Sequence, residues 1–247
     1  HNKKNLIFYH IHNPDVYAQL NFLRLAPNAN WLVMVREPIQ SCESWIKRDF
    51  YNNNYKIVVG KIFDMLFEID HVIYRRKNSL GVKLEDLKLY PKKTIQALCK
   101  WLSIDENECL YHMTAQGKQW WGEPTSPDYS KDGMAPFGKA SINRKLGSVF
   151  SDNDLFIMQT LFYPFSIRFG YAEKNLEQFK KDLLTIRPMI TKMFDFEKKI
   201  AQRINMSTEK FMKSGSYLYL RSGIIERWNV LYELNTYPHM LNRLIIN

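Results

Sequence analysis

Cysteine is scarce: three residues in 247, Cys42, Cys99 and Cys109, with no C-x-x-C spacing. That excludes a disulfide framework and argues against a structural zinc site. Buried, reduced thiols are the expected state, which favours a reducing, cytoplasmic compartment. No run of about 18 apolar residues occurs, so no stretch is fit to cross a bilayer as a helix. His1-Asn2-Lys3-Lys4 is basic, but no long apolar stretch follows, so a secretory signal is not expected. Internal repeats and low-complexity segments are missing too. Acidic side chains are the scarcer charge, 25 against 35 Lys and Arg, which leaves a net charge of +10. Such a surface attracts anions of several kinds: nucleic acid, phosphorylated cofactors, acidic glycans, anionic lipid.

What is present is ordinary for a globular protein. Hydrophobic residues make up 45% and charged residues 24%, which excludes disorder as the main state. The length suits one large domain or two small ones. The positive excess is unevenly spread: residues 173–247 carry 13 basic and 8 acidic side chains, residues 1–172 carry 22 and 17.

Strand and helix patterns alternate along residues 1–172. Residues 6–11 read as a short buried strand, and Pro14 opens a helix reaching about Arg24, with Val16, Leu20 and Leu23 on one side. Trp31-Leu32-Val33-Met34-Val35 is a continuous apolar run, the pattern of a central parallel strand covered on both faces. A helix starts near Pro38. Residues 56–74 are helical by period, 80–84 form another strand, and Pro91 opens a helix to about Leu102. This order predicts an α/β fold with a parallel sheet flanked by helices. Residues 115–142 are loop-like, with four Gly and three Pro. Helical pattern returns at 151–164. From Glu173 to the end the chain reads as a helical extension, interrupted at Pro188, Ser214-Gly215 and Pro238. Its apolar stripes suit docking on the parent domain or a homodimer contact.

The sharpest local signal is Arg36-Glu37-Pro38-Ile39-Gln40-Ser41-Cys42-Glu43-Ser44. An Arg at the carboxyl end of a buried strand and a Ser two helical turns later lie where open parallel sheets bind ligands. A guanidinium there can grip a phosphate through two hydrogen bonds and the hydroxyl can add a third. An Arg at a strand end also serves as an ordinary salt-bridge partner, so this pattern alone leaves both roles open. His10 and His12 fit a general base, a metal-binding H-x-H strand, or structural residues.

Together with three further stretches, this segment resembles the PAPS-dependent sulfotransferases. V-R-E-P-I-Q-S-C-E-S-W is similar to that family's 3′-phosphate segment. Val82 to Leu87, followed by Pro91 and a helix ending Trp101-Leu102-Ser103-Ile104, is similar to its strand-and-helix unit after a Glu-Asp-Leu triplet. Gly117-Lys118-Gln119-Trp120-Trp121-Gly122 looks like a loop of some members. Arg144-Lys145-Leu146 and then Phe169-Gly170-Tyr171 resemble its late Arg and closing Gly-Tyr. The four pieces keep the family's order, and the resemblance runs over residues 6–171.

The resemblance implies a P-loop-like α/β domain over residues 1–172, followed by the helical extension 173–247. It implies transfer of a sulfuryl group from 3′-phosphoadenosine 5′-phosphosulfate (PAPS) to a hydroxyl or amine on a small-molecule or glycan acceptor, without a metal. Arg36, Ser44 and Arg144 would bind the 3′-phosphate, and His12, in an H-x-P context, would be the catalytic base. The family's Gly-rich 5′-phosphosulfate loop has no counterpart before His12, and neither Ser214-Gly215-Ser216 nor Ser222-Gly223 has its setting. The expectation is that this sequence is the C-terminal portion of a longer enzyme. The competing readings are a non-catalytic sulfotransferase-like binding or structural module, a nucleic-acid binder resting on charge alone, which lacks any recognised motif, and a P-loop kinase without a Walker segment.

Overall fold

The structure is a computed structural model, and it describes residues 16–68, 78–112, 114–115, 118–119, 137–139, 141–143, 145–234 and 241–246. Helix α1 (Val16–Leu25) leads into strand β1 (Trp31–Val35), helix α2 (Pro38–Tyr51) and helix α3 (Tyr55–Glu68). Strand β2 (Ser79–Lys83) runs into the short α4 (Leu84–Leu89) and then α5 (Pro91–Leu102). Two-residue strands β3 (Thr114–Ala115) and β4 (Lys118–Gln119) pair antiparallel. Helix α6 (Asp152–Phe169) precedes four helices of the C-terminal region: α7 (Leu176–Ile186), α8 (Asp195–Arg203), α9 (Thr208–Met212) and α10 (Gly215–Leu234). Strand β5 (Asn242–Arg243) follows. The fold is mixed α/β, a three-stranded parallel sheet flanked by helices with a mainly helical C-terminal region. Among the described residues no helix is long and apolar enough to cross a membrane.

The sheet order is β1-β2-β5, all parallel, with Trp31 opposite Ser79 and Leu80 opposite Asn242. One face packs Trp31 and Val35 against Leu23 of α1 and Phe165 and Phe169 of α6. The other packs Leu80, Val82 and Leu244 against Leu98 and Trp101 of α5. Gly81 is needed here, because a Cβ would stand 2.6 Å from the buried Phe169 ring.

Several sequence expectations change. The apolar run of β1 predicted a central strand covered on both faces. Among the described strands β2 is central, and Leu32 and Met34 are 43% and 51% exposed. An apolar run states what a strand can bury, whereas the number of neighbouring layers is decided by the rest of the chain. Of the residues read on one side of α1, Leu23 is buried but Leu20 is exposed, and Phe22 meets Trp31 edge-on at 5.7 Å. The helical reading to the chain end misses β5, a two-residue strand too short to show a period. Cys109 lies exposed on a 3₁₀ turn, unlike Cys42 and Cys99. The strand at 6–11, His10, His12, Trp120-Trp121 and Arg144 lie outside the described residues, as does most of the 115–142 loop.

The C-terminal helices share one core with the helices of the sheet region. Phe179, Leu183, Ile186, Tyr217, Leu220, Ile224, Trp228 and Leu231, the stripes read from the sequence, join Ile46, Val58, Ile62, Leu161 and Phe162 in a single cluster. Polar ties reinforce it. Asp154, in the capping box of α6, accepts from the backbone N–H groups of Asp195 (2.9 Å) and Phe196 (3.0 Å) at the start of α8. The fully buried Glu197 accepts from the Tyr55 hydroxyl of α3, from Arg221 Nη2 of α10 at 2.8 Å and from the Phe194 N–H at 2.7 Å. Each of its oxygens thus has a partner, the condition under which a buried charge is tolerated.

Candidate functional site

The chain leaves β1 at Val35, and Arg36 begins the loop into α2. Pro38 occupies the first turn of α2 and Glu37 is its N-cap, accepting from the N–H groups of Ile39 (3.2 Å) and Gln40 (2.6 Å). That carboxylate takes the amides an incoming phosphate would otherwise use. Burial raises the Glu37 pKa from its ordinary value, with the two N–H bonds working against the rise. Anion binding beside β1 therefore falls to side chains.

Those side chains come from one face of α2. Ile39, Cys42, Ile46 and Phe50 point into the core, which turns Ser41, Ser44, Trp45 and Arg48 outward at helical spacing. With Arg36 and with Lys61 from α3 they line an open cleft of about 550 Å³. Arg36 is held from below, its Nη2 donating to Gln40 Oε1 at 3.1 Å. Lys61 is already neutralised by Asp49 at 2.7 Å and also donates to the Trp45 carbonyl at 2.9 Å. Arg36 and Arg48 bring two guanidinium groups to the cleft, and Ser41 and Ser44 bring two hydroxyls.

Ser44 also borders a second cavity of about 480 Å³, with Gln40, Lys47, Lys145 and Ser148. Glu43 brings the late loop there. Its carboxylate, 3% exposed, accepts from the N–H groups of Val149 (2.7 Å), Phe150 (3.0 Å) and Gly147 (3.1 Å). Lys145 is the residue after Arg144. The two stretches likened to phosphate-binding segments are thus fastened together by one carboxylate.

Glu85 braces the same region. It accepts from the Glu37 backbone N–H at 3.0 Å and from the Tyr171 hydroxyl at 2.7 Å. Burial, then the Glu85 carboxylate, push the Tyr171 pKa well up. Asp86 stands 3.9 Å from Lys83 and 3.8 Å from Arg243. Glu85 and Asp86 form the acidic first turn of α4. Cys42 is fully buried and burial raises its pKa steeply, so it is no nucleophile. The Ser207 hydroxyl is occupied as the N-cap of α9. Among the described residues no three His, Cys, Asp or Glu side chains gather as metal ligands do.

Of the residues singled out in the sequence, Arg36 and Ser44 line one cleft. Ser41, Trp45, Arg48, Lys47 and Lys145 were not singled out. Extending the 3.6-residue period from Ser44 along the polar side of α2 would have found Ser41, Trp45 and Arg48, whereas Lys145 needed the Glu43 clamp. No protein-family model matches the chain, and no curated protein or solved structure matches it either.

Proposed function

We propose that this protein moves a sulfuryl group from PAPS to a hydroxyl or amine acceptor. The observation that carries the reading is the union of Arg36 and Ser44, picked out by their spacing, in one cleft with Ser41 and Arg48. Two guanidinium-bearing arms and two hydroxyls are a donor set suited to a phosphomonoester dianion. The cleft is in the size range of small-molecule sites. PAPS supplies the activated sulfuryl group. The chain's own part is to hold the 3′-phosphate with Arg36, Ser44 and Arg48, with Arg144 closing from the late loop. The His12 imidazole takes the acceptor proton as the acceptor oxygen or nitrogen bonds to sulfur, while the bond between sulfur and the 5′-phosphate oxygen breaks and adenosine 3′,5′-bisphosphate leaves.

Calorimetric titration with adenosine 3′,5′-bisphosphate and with adenosine 5′-phosphate tests this. Arg36→Ala removes a charge-assisted contact and should weaken the bisphosphate by about 2–4 kcal/mol, leaving the monophosphate almost unchanged. Equal losses for both nucleotides would overturn the assignment. Selective binding of the bisphosphate without sulfuryl transfer to any hydroxyl or amine acceptor would favour the non-catalytic module.

A further inference from the structure

A third cavity, of about 290 Å³, shares no lining residue with the two basic ones. It lies where α6, α7 and the first residues of α2 meet. Helix α6 contributes Phe156, Gln159 and Tyr163, helix α7 contributes Phe179 and Asp182, and Glu37 also lines the wall. The Tyr163 and Phe179 rings stack with centroids 4.6 Å apart, which fixes the aromatic wall.

Its charge is opposite to that of the molecule. In a chain of net charge +10, the lining holds two carboxylates and neither Lys nor Arg. Among the described residues, neither Glu37 nor Asp182 forms an ion pair, and Arg36 is the least of the influences on Glu37. Gln178 donates to one oxygen of Asp182 at 2.8 Å, leaving the other open. The side chains of Gln159 and Ser166, both on the lining, make no hydrogen bond among the described residues. The open oxygen of Asp182, the negative charge of Glu37, whose two oxygens already accept the Ile39 and Gln40 amides, and the ring faces together repel anions. They attract a cation with an apolar body, through ion pairing and through the negative faces of the rings. A volume just under the usual range for drug-sized ligands restricts that body to a single ring or a short chain.

We infer that this cavity is a binding site for a small organic ammonium ion, held by Asp182 against the Phe156, Tyr163 and Phe179 rings, with Glu37 adding negative charge to the wall. The site stands independently of the sulfuryl-transfer reading, since it shares no residue with the phosphate cleft.

The test uses 2-phenylethylamine and its uncharged counterpart 2-phenylethanol, titrated into the full chain and followed by calorimetry and by saturation-transfer NMR. The amine should bind about tenfold more tightly than the alcohol. Asp182→Asn should weaken the amine about fivefold while leaving the alcohol unchanged. Gln159→Trp, an exposed position at the cavity wall, should block both ligands. Circular dichroism of each variant keeps loss of fold separate from loss of binding. Equal affinity for amine and alcohol, no binding of either at 10 mM (about the weakest affinity worth calling a site), or amine binding indifferent to both substitutions would overturn the inference.

Discussion

Glu43→Ala is the substitution that most directly probes how the candidate site is assembled. The carboxylate is buried on α2 and accepts three backbone N–H groups of the 147–150 segment. Val149 and Phe150 are 0% and 2% exposed, so their amides cannot turn to water when the acceptor goes. Each orphaned buried donor costs about 1–3 kcal/mol. Gly147 is exposed, so its amide can be rehydrated at little cost. Some stability returns because a carboxylate no longer has to be kept out of water. The net loss is about 3 kcal/mol, which for a urea slope of about 3 kcal/mol/M lowers the unfolding midpoint by about 1 M. Glu43→Gln keeps Oε1 for the Val149 and Phe150 amides and sets an NH₂ against Gly147, so it should cost about 1 kcal/mol. Both variants should weaken adenosine 3′,5′-bisphosphate binding, because the loop carrying Lys145 is no longer pinned beside Ser44. An alanine variant within about 0.5 kcal/mol of wild type, the size of an ordinary surface substitution, would refute the clamp. So would a glutamine variant as damaged as the alanine one.

Three further outcomes are expected. His12→Ala should lower sulfuryl-transfer turnover about a hundredfold or more with little change in bisphosphate affinity, and loss of turnover in His10→Ala instead would reassign the base. Gly81→Ala drives a methyl into the Phe169 ring and should cost about 1–3 kcal/mol, read as a thermal midpoint lowered by several degrees, about 2–4 °C per kcal/mol at this size. An unchanged midpoint would show that the ring can move aside. Ending the chain after Tyr171 strips the partners from Ile157, Leu161 and Phe162, so the remainder should aggregate. A truncated chain that stays soluble, monomeric and equally heat-stable would show the C-terminal helices to be a separate appendage.

Periodicity carried much of the fold. The stripes of α7 and α10, the Pro-initiated α2 and α5, and strands β1 and β2 all follow from local patterns, because a 3.6-residue or an extended apolar repeat is a property of neighbouring residues. The 8-residue separation of Arg36 and Ser44 is likewise a local feature, and both residues line one cleft. What the sequence could not supply were relations between distant segments. The exposure of Leu32 and Met34 depends on how many layers surround β1. Glu43 reads as a polar residue on an amphipathic helix until its three amide partners more than 100 residues away are seen. Strand β5 exists because β2 offers an edge, and the acidic cavity exists because three helix segments from separate stretches of the chain converge. Local patterns determine which elements form. Which charges end up paired, buried or facing a shared cavity is decided only when those elements pack, since electrostatic and packing energies depend on distance in space rather than along the chain.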